Sequence, residues 1–203
     1  MRKTSKPTRK QMEKDAKTHA VWKAKILAPT LAARLGSTPA TRFRGNPDVF
    51  GRLVEDHDRH RALIAMIEET QGKSPVRQKL FRELVREVKS HAAAEEQALW
   101  STVLRNPDTT DDARHAVAEH KQLDDMLADL AARHMASPAW ARRFKKMKEK
   151  YLHHIREEEQ EQFVAAEKHL SPSDTRHMRS VFSLRKKAEK AGTKIEKKIK
   201  LKD

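Results

Sequence analysis

The sequence predicts an all-α protein, an antiparallel up-down-up-down four-helix bundle with helical extensions at its N- and C-terminal ends. Three observations carry that expectation. The 203 residues include only five glycines and one tyrosine, against abundant helix-favouring Ala, Leu, Glu, Lys and Arg. Apolar residues recur at helical spacing through four long stretches, each opened by a capping residue and a proline. Finally, the two halves of this region repeat one another at a shift of 63 positions.

Taken in order, Asn46-Pro47-Asp48 opens the first helix. Val49, Leu53, Val54, His57, Leu63, Ile64 and Ile67 share its inner face until Gln71-Gly72 ends it. Ser74-Pro75 starts the second, whose inner face is marked by Leu80, Phe81, Leu84, Val88, His91, Leu99 and Val103, and Asn106-Pro107-Asp108 breaks it. A third runs from about Thr110 to His134, and Ser137-Pro138 begins a fourth that reaches about Leu170. After Ser171-Pro172 a short fifth helix is expected through Met178, Val181, Phe182 and Leu184. Long helices joined by short turns must run antiparallel to their sequence neighbours, and a bundle is the economical packing. The amphipathic stretch Ala20 to Leu35, broken at Pro29, is expected to lie across the bundle or against a partner.

Charge divides the chain in the same way. Residues 1–50 carry 12 Lys/Arg against 3 Asp/Glu, and residues 171–203 carry 11 against 4, within a total net charge of +15. The middle is therefore close to neutral. The expected organisation is a basic N-terminal extension over 1–45, a helical bundle over 46–170 and a basic C-terminal helix and tail over 171–203. Basic ends of this kind suit nucleic acid or another anionic surface, or simply keep the chain soluble. Cysteine is absent, which excludes disulfide scaffolds, zinc knuckles, iron–sulfur clusters and cysteine catalysis. No apolar run approaches the roughly 20 residues that cross a bilayer, and the N-terminus lacks the apolar stretch of a secretory signal. The expected location is the cytoplasm.

The repeat carries more than apolar residues. A shift of 63 takes Phe81 onto Phe144, Leu84 onto Met147, Ile67 onto Leu130 and Trp100 onto Phe163. It also takes His57 onto His120, His91 onto His154 and Glu95 onto Glu158. Each half thus reads His, a second His 34 residues later, and Glu four residues after that. Residues i and i+4 share one helix face, so His91 with Glu95, and His154 with Glu158, can reach one small object together. His57 and His120 fall on apolar stripes, which aims them at the bundle axis. Burying four imidazoles and two carboxylates without partners is costly, and a pair of metal ions removes that cost. His60 and Tyr151 are candidates for a supporting role or an extra ligand. His153 and His115 are expected at the surface.

The segments EDHDRHRALI, SHAAAEEQALW, AEHKQLDDML and HHIREEEQEQF resemble the four helical motifs of the hemerythrin family, in particular its HHE cation-binding branch. The resemblance spans about residues 46–170. It implies a four-helix bundle around a non-haem di-iron centre ligated by His57, His91, Glu95, His120, His154 and Glu158. One departure stands out. Oxygen-carrying hemerythrins have five His and two carboxylates, with HxxxH on the third helix and HxxxxD on the fourth. Here Asp124 follows His120 by four residues, and Glu158 follows His154 by four, with Glu159 at the fifth place.

Imidazole with carboxylate suits iron, manganese, zinc or cobalt, and lack of thiolate disfavours copper(I). The family resemblance selects two iron ions, oxo- or hydroxo-bridged, with Mn or Zn as substitutes. Six protein ligands leave positions open on two roughly six-coordinate ions. The function expected is binding or reduction of a small ligand, O₂, NO or hydrogen peroxide, including a catalase- or peroxidase-like reaction. A different class is a metal-dependent structural or regulatory module whose basic ends bind nucleic acid or a protein partner.

Overall fold

The computed structural model describes residues 41–192, and among these there is helix and no strand. The amphipathic stretch before Leu35 and the last basic residues of the tail lie outside the described residues. Helix α1 spans Val49–Glu68, α2 Pro75–Glu95, α3 Pro107–Ala132, α4 Pro138–Glu157 and α5 Pro172–Gly192. After α2 the chain continues through a π-helical turn, Glu96–Trp100, and a last α-turn, Ser101–Val103. After α4 it does the same through Glu158–Gln162 and Phe163–Glu167. No described helix is long and apolar enough to cross a membrane.

Helix starts follow local chemistry. Ser74 and Ser137 accept hydrogen bonds from the amides of Arg77 and Trp140, each ahead of a proline in the first turn. Asn106 caps α3 in the same way, so that helix begins at Pro107, a turn's length before the expected Thr110. In α1 the cap is Asp48, whose side chain accepts from the Gly51 amide, and Pro47 stands outside the helix. Gly51 is required by close approach, since a Cβ there would sit 2.1 Å from the backbone oxygen of Asn46. Just before it in the chain, Phe43 is buried against Phe50 and Phe163.

Packing pairs α1 with α2 and α3 with α4, and closes the ring through α1 with α4 and α2 with α3. Two apolar clusters fill it. One lies toward the α1–α2 turn and contains Leu63, Ile67, Phe81, Leu84, Leu130, Trp140 and Phe144. The other, at the opposite end, contains Phe43, Phe50, Leu53, Leu99, Trp100, Phe163 and Phe182. Between them runs a belt of fully buried polar side chains.

Helix α5 is longer than the short element expected, with 21 residues, and packs on α2 and α1. Phe182 is buried as predicted, whereas Leu184 is 71 % exposed and Lys186 only 5 % exposed. A lysine in a basic run reads as solvated, but docking of α5 brings Lys186 to Asp56 (2.5 Å) and Glu87 (2.8 Å). Lys190 also pairs with Glu87. Burial opposes charging the Glu87 carboxyl, yet Lys186, Lys190 and Arg59 hold it down at about 2. The folded value lies below the unfolded one, so the stabilisation is full above about pH 4.5 and disappears as pH falls toward 2. A shift of this size corresponds to about 3 kcal/mol. In thermal melts, the stability gap between wild type and Glu87→Gln should narrow by about that amount between pH 5 and pH 2. A gap independent of pH would remove the Glu87 ion pairs from what docks α5.

Candidate metal centre

Four helices each deliver one imidazole to the polar belt. His57 comes from α1, His91 from α2, His120 from α3 and His154 from α4, while Glu95 and Glu158 sit where α2 and α4 meet their π-turns. The Nε2 atoms of His57 and His91 are 3.2 Å apart. Glu158 Oε2 lies 3.3 Å from His57 Nε2, and its Oε1 lies 3.3 Å from His154 Nε2 and 3.8 Å from His120 Nε2. Glu95 Oε2 lies 3.4 Å from His91 Nε2 and 3.5 Å from His120 Nε2. The six residues named from the sequence are thus brought together, with each glutamate standing between a histidine of one half and a histidine of the other.

The opposite ring nitrogens define the tautomers. His57 Nδ1 is 2.8 Å from Glu159 Oε1, His120 Nδ1 is 2.9 Å from Glu96 Oε1, and His154 Nδ1 is 2.9 Å from Glu119 Oε2. His91 Nδ1 lies 3.3 Å from Asp56 Oδ2. A carboxylate can only accept, so each Nδ1 carries the proton and donates it outward. In the neutral rings the four Nε2 atoms are then bare lone pairs facing one another and the two glutamates. Both carboxylate oxygens of Glu95, both of Glu158 and the His120 Nε2 are buried without a hydrogen-bond partner. Such a set is unfavourable unless positive charge fills its middle.

The electrostatics of the cluster make the same demand. Burial disfavours a charge on His57, but the Glu158 carboxylate beside one ring nitrogen and the hydrogen bond to Glu159 at the other outweigh it and raise the ring to about 9. His120 is likewise buried, and contacts with Glu158, Glu95 and Glu96 raise it well above its ordinary value. Burial and mutual repulsion work against ionising Glu95 and Glu158, yet the surrounding imidazoles keep both carboxyls below their usual range. The cluster attracts cations. His57, His91 and Glu158 offer ligand atoms at mutual distances suited to one ion, and His120, His154 and Glu158 do so for another.

A family model described as the hemerythrin HHE cation-binding domain matches residues 48–166. The chain belongs to the hemerythrin HHE family. No curated protein and no solved structure gives a significant match.

This HHE domain therefore binds cations, and it holds His/Glu clusters able to take metal. Several of its residues escaped the sequence reading. Asp56, Glu96, Glu119 and Glu159 orient the four imidazoles, and each pair obeys the 63-residue repeat, Asp56 onto Glu119 and Glu96 onto Glu159. The repeat was the signal that would have found them. His60 is fully buried, its Nδ1 2.5 Å from the Tyr151 hydroxyl, and its ring stands edge-on to His91. Neither residue is within the ligand-spaced clusters. Asp124, four residues after His120 where oxygen-carrying hemerythrins have a histidine, points instead to Lys89 at 2.7 Å. His153 and His115 are exposed, as expected from their register.

The π-turns begin at Glu96 in one half and at Glu158 in the other. Each accompanies two consecutive glutamates with opposite tasks, one facing the middle of the cluster and the next facing a histidine on another helix. Local widening of this type is frequent at functional sites.

Proposed function

We propose that this HHE protein is a non-haem di-iron protein. Its ligands are His57, His91, Glu95, His120, His154 and Glu158, and its centre binds or reduces O₂, NO or hydrogen peroxide. The observation that carries this reading is the placement of Glu95 and Glu158 between the two histidine pairs, with their oxygens buried and otherwise unpartnered. When bound, two irons supply the redox chemistry and the open positions that a small oxidant needs. Iron rather than zinc is favoured by the family to which the chain belongs.

The protein's own contribution is orientation, basicity and access. Outward hydrogen bonds from each Nδ1 fix the rings and make Nε2 a stronger donor. Arg61 at 3.0 Å from Glu159 and Lys150 at 2.8 Å from Glu119 hold those carboxylates in place. Phe50, Trp100 and Phe163 seal the end of the bundle beyond the centre. Approach is from the side, through a cleft of about 720 Å³ between α2 and α3 that is lined by Val88, Ala92, Leu123 and Glu96 and reaches His120. It opens on the His120 side of the centre. The deciding experiment is metal content per chain with an optical spectrum of freshly purified protein. About two irons and ferric charge-transfer bands that bleach on reduction are expected, and a folded chain without metal would overturn the reading. Added peroxide then separates the reactions: O₂ evolution lost in His91→Ala marks peroxide removal, whereas a stable oxygenated spectrum in air marks reversible binding.

A further inference from the structure

Outside the inner cluster, α3 and α4 bring a second group of donors together. His115 Nε2 lies 3.6 Å from Glu119 Oε2 and 3.8 Å from Glu157 Oε2. His153 Nε2 lies 3.3 Å from Glu157 Oε1. One nitrogen of His115 and one oxygen each of Glu119 and Glu157 all fall within 4.8 Å of one another. The two separations at His115 exceed hydrogen-bonding distance. They match instead the spacing of ligands around one ion, which are roughly 3–4 Å apart when each sits about 2.1 Å from the metal. Glu157 Oε2 is also buried and has no hydrogen-bond partner.

The internal repeat shows what occupies this place in the other half. A shift of 63 takes Arg52 onto His115, Asp56 onto Glu119 and Ala94 onto Glu157. In the first half, Arg52 sits 2.6 Å from Asp56 Oδ1 and Lys186 sits 2.5 Å from Asp56 Oδ2. Two fixed cations there neutralise the carboxylate that orients His91. In the second half, Lys150 sits 2.8 Å from Glu119 Oε1 and is the counterpart of one of them. Where the other should be stands an imidazole, with an additional carboxylate beside it. The first half fills the slot with a guanidinium. The second half offers ligands.

The geometry points to an outer site for one divalent transition-metal ion, held by His115 Nε2, Glu119 Oε2 and Glu157 Oε2. Two carboxylates against one ammonium leave net negative charge for the ion, and mixed nitrogen and oxygen ligands suit Zn²⁺, Fe²⁺, Mn²⁺ or Co²⁺. The outer ion touches the inner centre through one residue, because Glu119 Oε2 also accepts from His154 Nδ1 at 2.9 Å. Filling the outer site draws charge from the carboxylate that supports His154. The site goes beyond the proposed di-iron function and stands whatever the inner cluster holds.

Zn²⁺ titration of the full chain followed by calorimetry, with total metal counted in the same samples, tests this. Wild type should bind one more Zn²⁺ per chain than the double variant His115→Ala/Glu157→Gln, and each single variant should weaken that binding by about tenfold or more. Inner metal content, and the optical spectrum before Zn²⁺ is added, should be the same in all variants, which separates this outcome from any failure of the di-iron reading. Equal Zn²⁺ stoichiometry and affinity in wild type and double variant would overturn the outer site, as would no Zn²⁺ uptake beyond the inner centre.

Discussion

Replacing Glu158 by alanine is expected to lower the iron content from about two per chain to one or fewer. Glu158 is within 3.8 Å of three imidazoles, from α1, α3 and α4, and its two oxygens face different histidine pairs. Its loss removes a donor from both positions and one of the two negative charges that offset the ions. Glu95 does not compensate, because its near oxygen faces His91 and His120 and leaves His57 and His154 without a carboxylate partner at the centre. The adjacent Glu159→Ala provides the contrast. Glu159 accepts from His57 Nδ1 and faces away from the cluster, so iron should still bind, with affinity reduced about 10- to 100-fold. Metal analysis of the two variants checks both expectations, and two irons retained in Glu158→Ala would refute the ligand assignment.

Stripping the metal should cost the fold on the order of 5 kcal/mol or more, a fall in Tm of roughly 10–20 °C for a domain of this size. The reason lies in the belt between the two apolar clusters. Without ions, four oxygens of Glu95 and Glu158 and the His120 Nε2 are buried and unpartnered, and the His57 and His91 Nε2 atoms are crowded together at 3.2 Å. Protons can replace part of the missing charge, but they cannot satisfy four oxygens and four nitrogens arranged for coordination. Calorimetry of the protein before and after chelation, then after iron is restored, measures the effect. An unchanged Tm would mean that the imidazoles and carboxylates satisfy one another, and that the centre is a hydrogen-bonded core rather than a metal site.

Much of this was legible in the sequence because the signals are local or periodic. Serine before proline marks the starts of α2 and α4, since the cap geometry involves residues only three apart. The six central residues were visible because a polar residue on an apolar stripe, repeated at 63 positions, has no solvent-facing explanation. Their supporting carboxylates obeyed the same repeat, but acidic residues on a charged helix read as solvated. Lys186 was hidden for the same reason, and only the docking of α5 on α1 and α2 buries it. Leu184 went the other way, since the face α5 buries carries Met178, Phe182 and Lys186 and leaves Leu184 outside it.

The chain alone determined four inner faces and the levels at which donors stand on them, because helical periodicity converts spacing directly into direction and height. Tertiary structure decided which carboxylate meets which ring. His57 finds Glu159 across 102 residues, and His120 finds Glu96 on a different helix. Packing also made two repeated halves unequal, with Arg52 and Lys186 closing on the Asp56 carboxylate while Lys150 alone pairs with Glu119, beside His115 and Glu157. Contacts between residues so far apart leave no mark in local sequence, because they arise only when helix faces meet and close around the same few ångströms of polar space.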